Sequence, residues 1–187
     1  MKNNLRKLLA VFTLTIISVL IAYFYINLYT INLNKNDIAK DIEKRAASGV
    51  KIIQMTESRN EQFVLFTNNI SGQLGMVYYK PQSLIASRYV CLGGSNITGR
   101  ADVNQKYGVH DFGQTVENGY DRLIVVYGRN EPNGKTIELD FLNNKITRSI
   151  EGKDYFLQVF RFSQDKFSSP KVRFLDKLDA DITQKFL

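Results

Sequence analysis

Covalent or acid–base chemistry near neutral pH asks first for a nucleophile and a base. The sequence holds one cysteine and one histidine, Cys91 and His110. A thiol becomes nucleophilic when a nearby His or a helix N-terminus lowers its pKa. His110 is the single imidazole available, and no family signature flanks either residue. Cys91 sits among Tyr89, Val90 and Leu92, a setting that favours a buried, inert thiol. A second group of reactive types lies between Gly99 and Tyr120, where Arg100, His110 and Asp111 accompany Asp102, Lys106 and Tyr107. The segment reads as a long loop, where sites tend to sit. An imidazole there titrates near neutrality, and a guanidinium fits a carboxylate or phosphate. Arg100, His110 and Asp111 are therefore the candidate ligand-binding residues, for a small anion. The alternative is a surface loop that covers one end of a sheet.

Other constellations are weaker. Gly93 to Arg100 offers a nest of backbone N–H groups for an anion. It lacks the Gly-Lys-Ser/Thr ending of a P-loop and matches no nucleophile elbow. Glu138 and Asp140 alternate with apolar residues, so both are expected to face water. Two such carboxylates suggest glycoside hydrolysis, but nothing around them raises a pKa. Asp176, Asp179 and Asp181 miss the spacing of a calcium loop and read as a solvated tail. Asn69-Ile70-Ser71 and Asn96-Ile97-Thr98 match the glycosylation sequon. Tyr78, Tyr79, Tyr89, Tyr107, Phe112 and Tyr120 form an aromatic set fit for a core or an interface. A single Cys and a single His exclude a disulfide framework, a Cys-rich zinc site and a His-pair metal helix. No cofactor is expected.

These residues need a scaffold, and the scaffold begins with an apolar segment. Leu8 to Tyr29 carries no charge over 22 residues. As a helix it is roughly 33 Å long, enough for a hydrocarbon core of about 30 Å. Thr13, Thr15 and Ser18 are tolerable because a hydroxyl can bond a carbonyl one turn back. Tyr23, Tyr25 and Tyr29 cluster where a headgroup interface would lie. The stretch is too long for a signal-peptide core, and bulky residues follow it. It reads as an uncleaved anchor, in contact with membrane lipid through residues 8–31. Lys2, Arg6 and Lys7 crowd the N-terminal flank, and the first span usually sets orientation. The expected order is a cytoplasmic tail (1–7), a transmembrane anchor (8–31), a stalk helix (32–49) and an extracytoplasmic β-rich domain (50–187).

The formal charge is +7 in 187 residues. Setting aside the three basic residues of the flank leaves 22 basic against 18 acidic groups, a modest excess with no dense basic run. Nucleic acid is therefore not an expected partner. A membrane or cell-envelope protein is.

Ile38 and Ile42, one turn apart, mark a short helix with Asp41 and Arg45 at i,i+4 and Gly49 as its stop. It reads as a solvated stalk, or as a helix laid on the domain. Strands follow at Val50–Met55, Phe63–Phe66, Gln73–Lys80, Ser83–Leu92, Leu123–Tyr127, Thr136–Phe141, Ile146–Ile150 and Tyr155–Phe162. The continuous apolar runs at 63–66 and 123–127 predict strands buried on both faces. The run from 123 to 162 predicts a four-stranded meander. Phe63 to the strand after Gly72 is echoed by Leu123 to the strand after Gly134, a faint sign of duplication.

Within 123–162, LIVVYGRN, TIELDFLNNKITRSI and DYFLQVFRF resemble the C-terminal half of small exported, membrane-attached proteins of low-GC Gram-positive bacteria. The resemblance implies an exported β-rich domain and carries over no catalytic residue. The expected fold is mainly β, an antiparallel sheet or sandwich-like domain, with an N-terminal transmembrane helix and a short juxtamembrane helix. The expected function is non-enzymatic, a tethered binding or interaction module at the cell membrane. The alternatives are a small-anion ligand sensor or immunity-type protein, and a cell-envelope hydrolase using His110 with Asp111 or Cys91.

Overall fold

The computed structural model describes residues 2–45, 49–83, 85, 87–95, 106–116, 119–141, 144–164 and 169–186. The first element is helix α1 (Lys2–Tyr29). Its segment Lys7–Ile26 is long and apolar enough to cross a membrane, and none of it is buried by the rest of the chain. Thr13 and Thr15 donate their hydroxyls to the carbonyls of Leu9 and Val11, each at 2.9 Å. The helix thus satisfies these polar side chains internally, as hydrocarbon surroundings require.

Helix α2 (Lys35–Arg45) starts at an Asn34 cap, whose Oδ1 accepts the Asp37 N–H at 2.9 Å. Of the two expectations for this helix, the structure takes the second. Ile38 and Ile42 are fully buried, so α2 lies on the domain and is no solvated stalk. Burying each isoleucine stabilises the contact by roughly 1.5–3 kcal/mol.

The domain is antiparallel throughout. Strands β1 (Val50–Ser58), β2 (Glu61–Asn68), β3 (Leu74–Pro81) and β4 (Tyr89–Ser95) form the first sheet in that order. In the central sheet, β7 (Gly119–Arg129) pairs with β10 (Tyr155–Gln164) on one side. On its other side it pairs with β5 (Tyr107–Asp111) and β6 (Gln114–Val116). The third sheet sets β8 (Thr136–Phe141) between β9 (Asn144–Ser149) and β11 (Lys171–Leu175).

Alternation along the strands divides the core into three layers. Val64, Phe66, Val77 and Tyr79 meet α2 on one face of the first sheet. Phe63, Leu65, Met76 and Tyr78, on its other face, meet Leu123, Val125 and Leu157. Ile124, Val126, Phe156 and Phe160 then meet Ile137, Leu139, Phe174 and Phe186. The runs at 63–66 and 123–127 are buried on both faces, as expected.

Several expectations fail. The 123–162 segment is not a meander, because β7 pairs with β10 while β8 pairs with β9 and β11. The echo fails with it: β2 and β3 form a hairpin, whereas β7 and β8 lie in different sheets. Strand β4 begins at Tyr89 rather than Ser83. The presumed 99–120 loop contains β5 and β6, and β11 forms where no strand was expected. Residues 177–181 are exposed, but the chain beyond them is no free tail, since Ile182 and Phe186 are buried. Strand β5 carries few apolar residues, and its ladder with β7 holds it in place rather than any pattern of its own.

Candidate binding cleft

Ser58 pairs with Glu61, which leaves a two-residue turn of Arg59 (φ 52°) and Asn60 (φ 63°) between β1 and β2. Positive φ at both positions is the type I′ geometry that matches strand twist. Asn suits it, whereas Arg is an uncommon occupant. Beside this turn the first and central sheets part to form an open cleft of about 660 Å³. Arg59, Lys80 and Arg161 bring cationic groups to it, and Glu61 and Asp121 bring carboxylates. Tyr78, Leu92, Phe112 and Leu123 provide its apolar wall.

The wall is a run of rings. Phe63 stacks on Tyr78 with centroids 5.0 Å apart, Tyr78 meets Phe112 at 5.1 Å, and Phe112 meets His110 at 4.2 Å. Glu61 organises the polar end. It accepts the Tyr78 hydroxyl at 2.7 Å and an N–H of Arg161. Arg161 also donates to Ser58 Oγ at 2.9 Å and to the Ser58 carbonyl at 3.2 Å. Burial, reinforced by Glu61, pushes the Tyr78 hydroxyl well above its ordinary pKa, so it stays a donor. Lys80 reaches Glu61 only at 3.9 Å and is more than half exposed. Arg59 makes no ion pair among the described residues. Arg161 is thus committed to Glu61, while Arg59 and Lys80 stand at the rim able to receive an anion.

The residues singled out in the sequence do not converge. Arg100 lies outside the described residues, as do Asp102 and the end of the glycine-rich stretch from Asn96. His110 and Asp111 are neighbours on β5, and the strand sends them to opposite faces. His110 stacks against Phe112 in the layer shared with the first sheet. Burial lowers its pKa, against a smaller opposing pull from Asp111. Asp111 turns the other way and accepts two N–H groups of the fully buried Arg122, its Nε at 3.1 Å. That carboxylate neutralises a buried guanidinium, which would be costly unpaired. Cys91 is half-buried in a third place, packed with the layer beneath α2. Burial raises its pKa, so it is a thiol and not a thiolate.

Glu138 corrects another expectation, since it is 7% exposed and does not face open water. Arg173 stands across from it on β11 and ion-pairs with both Glu138 and Asp140, while Lys145 of β9 closes on Glu138 at 3.5 Å. Cross-strand cations have covered the carboxylates. Asp176 serves its own turn, accepting the N–H groups of Leu178 and Ala180.

Sequence reasoning missed Arg59, Lys80 and Arg161 and saw Tyr78 and Phe112 only as part of an aromatic set. Two signals were there to read: an Arg in a two-residue hairpin turn, and one charge, Arg161, inside the apolar strand 155–162. No family model, curated protein or solved structure matches this chain.

Proposed function

We propose that the chain is a membrane-tethered binding module whose cleft takes a small ligand with an apolar or aromatic body and an anionic group. The observation that carries this is the pairing of an aromatic wall, Tyr78 and Phe112, with the rim cations Arg59 and Lys80 in one cleft. Arg59 strengthens it. A residue unsuited to positive φ, kept where Asn or Gly would relax the turn, points to a role for its side chain. The ligand's ring lies along Phe112 and Tyr78, and its charge lies between the two cations. The module is non-enzymatic: Asp111 is occupied by Arg122, and Cys91 and His110 sit in different layers. The apolar helix tethers the module to a cell membrane, with the basic flank Lys2, Arg6 and Lys7 inside and the β domain outside. Tethering raises the local concentration of the cleft for ligands and partners at that surface. The resemblance of 123–162 to exported, membrane-attached proteins accords with that placement.

Full-length protein in lipid nanodiscs would be titrated with phenyl phosphate, and in parallel with phenol and with inorganic phosphate. Phenyl phosphate should bind more tightly than either part. Arg59→Ala with Lys80→Ala should weaken it roughly tenfold, a loss of about 1.4 kcal/mol. Equal binding by wild type and variant would refute the cleft as the site. A C-terminal alkaline phosphatase fusion that is inactive in intact bacterial cells would refute the outward orientation.

A further inference from the structure

The cleft between the first and central sheets carries one group that an anionic ligand leaves unexplained, the carboxylate of Asp121. Three cations and two carboxylates line that cleft. One of each is already matched, because Glu61 of β2 accepts the Tyr78 hydroxyl and pairs with Arg161 of β10. What remains is Arg59 and Lys80 against Asp121.

Strand β7 places Asp121 two residues before Leu123, so both face the first sheet. Asp121 is half-buried, and its carboxylate takes no hydrogen bond or ion pair among the described residues. Its neighbour across the ladder on β10 is Ser163, which brings no charge. Arg161 stands opposite Leu123 and is held by Glu61. Arg122, next in the chain, turns to the other face and meets Asp111. A half-buried carboxylate left without a partner is an electrostatic cost that a cationic group removes.

The two walls of the cleft thus differ in charge. Arg59, Tyr78 and Lys80 come from the first sheet and its β1–β2 turn, whereas Asp121 and Leu123 come from the central sheet. Phe112 belongs with the second wall, since its N–H donates to the Leu123 carbonyl at 2.8 Å. The contact of Tyr78 with Phe112 joins the walls. An ammonium drawn to Asp121 would have an aromatic ring close by as well as a carboxylate.

We infer that the cleft takes a zwitterionic aromatic ligand, its anionic group held by Arg59 and Lys80 and an ammonium at its other end held by Asp121. The inference rests on the binding function proposed for this cleft and narrows its ligand class. It also gives specificity, because an anion without the ammonium meets an unanswered carboxylate on the second wall.

The test uses full-length protein in lipid nanodiscs at neutral pH. The probes are tyramine O-phosphate and para-ethylphenyl phosphate, which share ring and phosphate and differ in the ammonium. Wild type should bind tyramine O-phosphate roughly tenfold more tightly. Asp121→Asn should abolish that preference, and para-ethylphenyl phosphate should gain about twofold as a carboxylate leaves the cleft. Asparagine keeps the size of the side chain and breaks no contact, so the melting temperature should not fall. Equal binding of the two probes by wild type, or an undiminished preference in Asp121→Asn, would overturn the inference. So would a lower melting temperature in Asp121→Asn, which would assign the carboxylate to the fold. The cleft itself would stand in each case if Arg59→Ala with Lys80→Ala still weakened para-ethylphenyl phosphate. Should that double variant bind it as wild type does, the cleft reading fails and this inference with it.

Discussion

Tyr78 and Tyr79 are consecutive on β3 and point to opposite faces of one sheet. Each donates its hydroxyl to a carboxylate that also holds an arginine. Tyr79 gives to Asp41, which pairs with Arg45. Tyr78 gives to Glu61, which pairs with Arg161. The chemistry is the same and the covering is not. Helix α2 closes over Tyr79, which is 0% exposed, whereas Tyr78 borders the open cleft. A tyrosine–carboxylate–arginine set under a lid joins a helix to a sheet. The same set beside open space fixes the wall of a cavity, with Lys80 only at the edge of reach of Glu61 and Arg59 in no ion pair among the described residues. The difference lies at the tyrosine: α2 covers Tyr79 while Tyr78 lines the cleft, although Asp41 and Glu61 are equally covered and Arg45 is the more exposed arginine.

The largest expected difference between the two faces follows from removing the carboxylate. Asp41→Ala strands the Tyr79 hydroxyl in a dry layer, and the cost should be about 3 kcal/mol. Glu61→Ala lets water reach Tyr78 and Arg161 through the cleft, and Arg161 keeps its Ser58 acceptors, so the cost should be about 1 kcal/mol. Thermal denaturation of the full-length protein in detergent, with both variants side by side, measures this. Equal losses would erase the distinction between the faces. Next comes the packing beneath α2. A Cβ built on Gly75 falls 2.4 Å from the Phe66 ring, so that ring occupies the space a side chain would need. Gly75→Ala should cost about 2 kcal/mol by forcing Phe66 toward α2. Its midpoint should fall while cleft binding of phenyl phosphate stays within about twofold.

The two faces were unequally legible in the sequence. The runs at 63–66 and 123–127 announced strands buried on both faces, and Ile137, Leu139 and Phe141 announced a one-faced strand, because burial leaves a periodic trace. Ile38 and Ile42 announced the face of α2 for the same reason. Strands β5, β6 and β11 left little trace, since pairing with β7 and β8 holds them more than their own apolar pattern does. Glu138 misled because alternation predicts a face and not what a cross-strand Arg173 does on that face. The cleft was the least legible part. Its groups come from positions 59, 61, 78, 80, 112 and 161, and only the register of two hairpins and of the long-range β7–β10 pair, with the packing of two sheets, brings them together.

A smaller effect tests whether the open face carries a function at a cost in stability. Arg59 holds φ 52° in the β1–β2 turn. Arg59→Asn should relax that turn and raise stability by about 0.5–1 kcal/mol. The same change should weaken phenyl phosphate binding several-fold. A variant that is both more stable and equally competent would show that Arg59 is only an awkward turn residue.

The smallest expected effect is a pH dependence that belongs to the open face alone. His110 ends the ring series Phe63, Tyr78, Phe112, and burial lowers its pKa below the ordinary 6.5. Below 6.5 the unfolded chain takes up a proton that the folded protein still refuses. Stability from this group is therefore complete above the unfolded pKa and is lost as pH falls toward the depressed folded value. Asp111 opposes the shift, so the loss should be modest. His110→Phe preserves an aromatic partner for Phe112 and removes the proton. Melting temperatures between pH 7.5 and 5 should fall less steeply in that variant than in wild type. The lid-covered set offers a control, because Asp41→Asn changes a carboxylate beneath α2 and leaves His110 in place. If Asp41→Asn flattened the slope as His110→Phe does, the titration would belong to the closed face, and the open face would lose its one pH-sensitive wall.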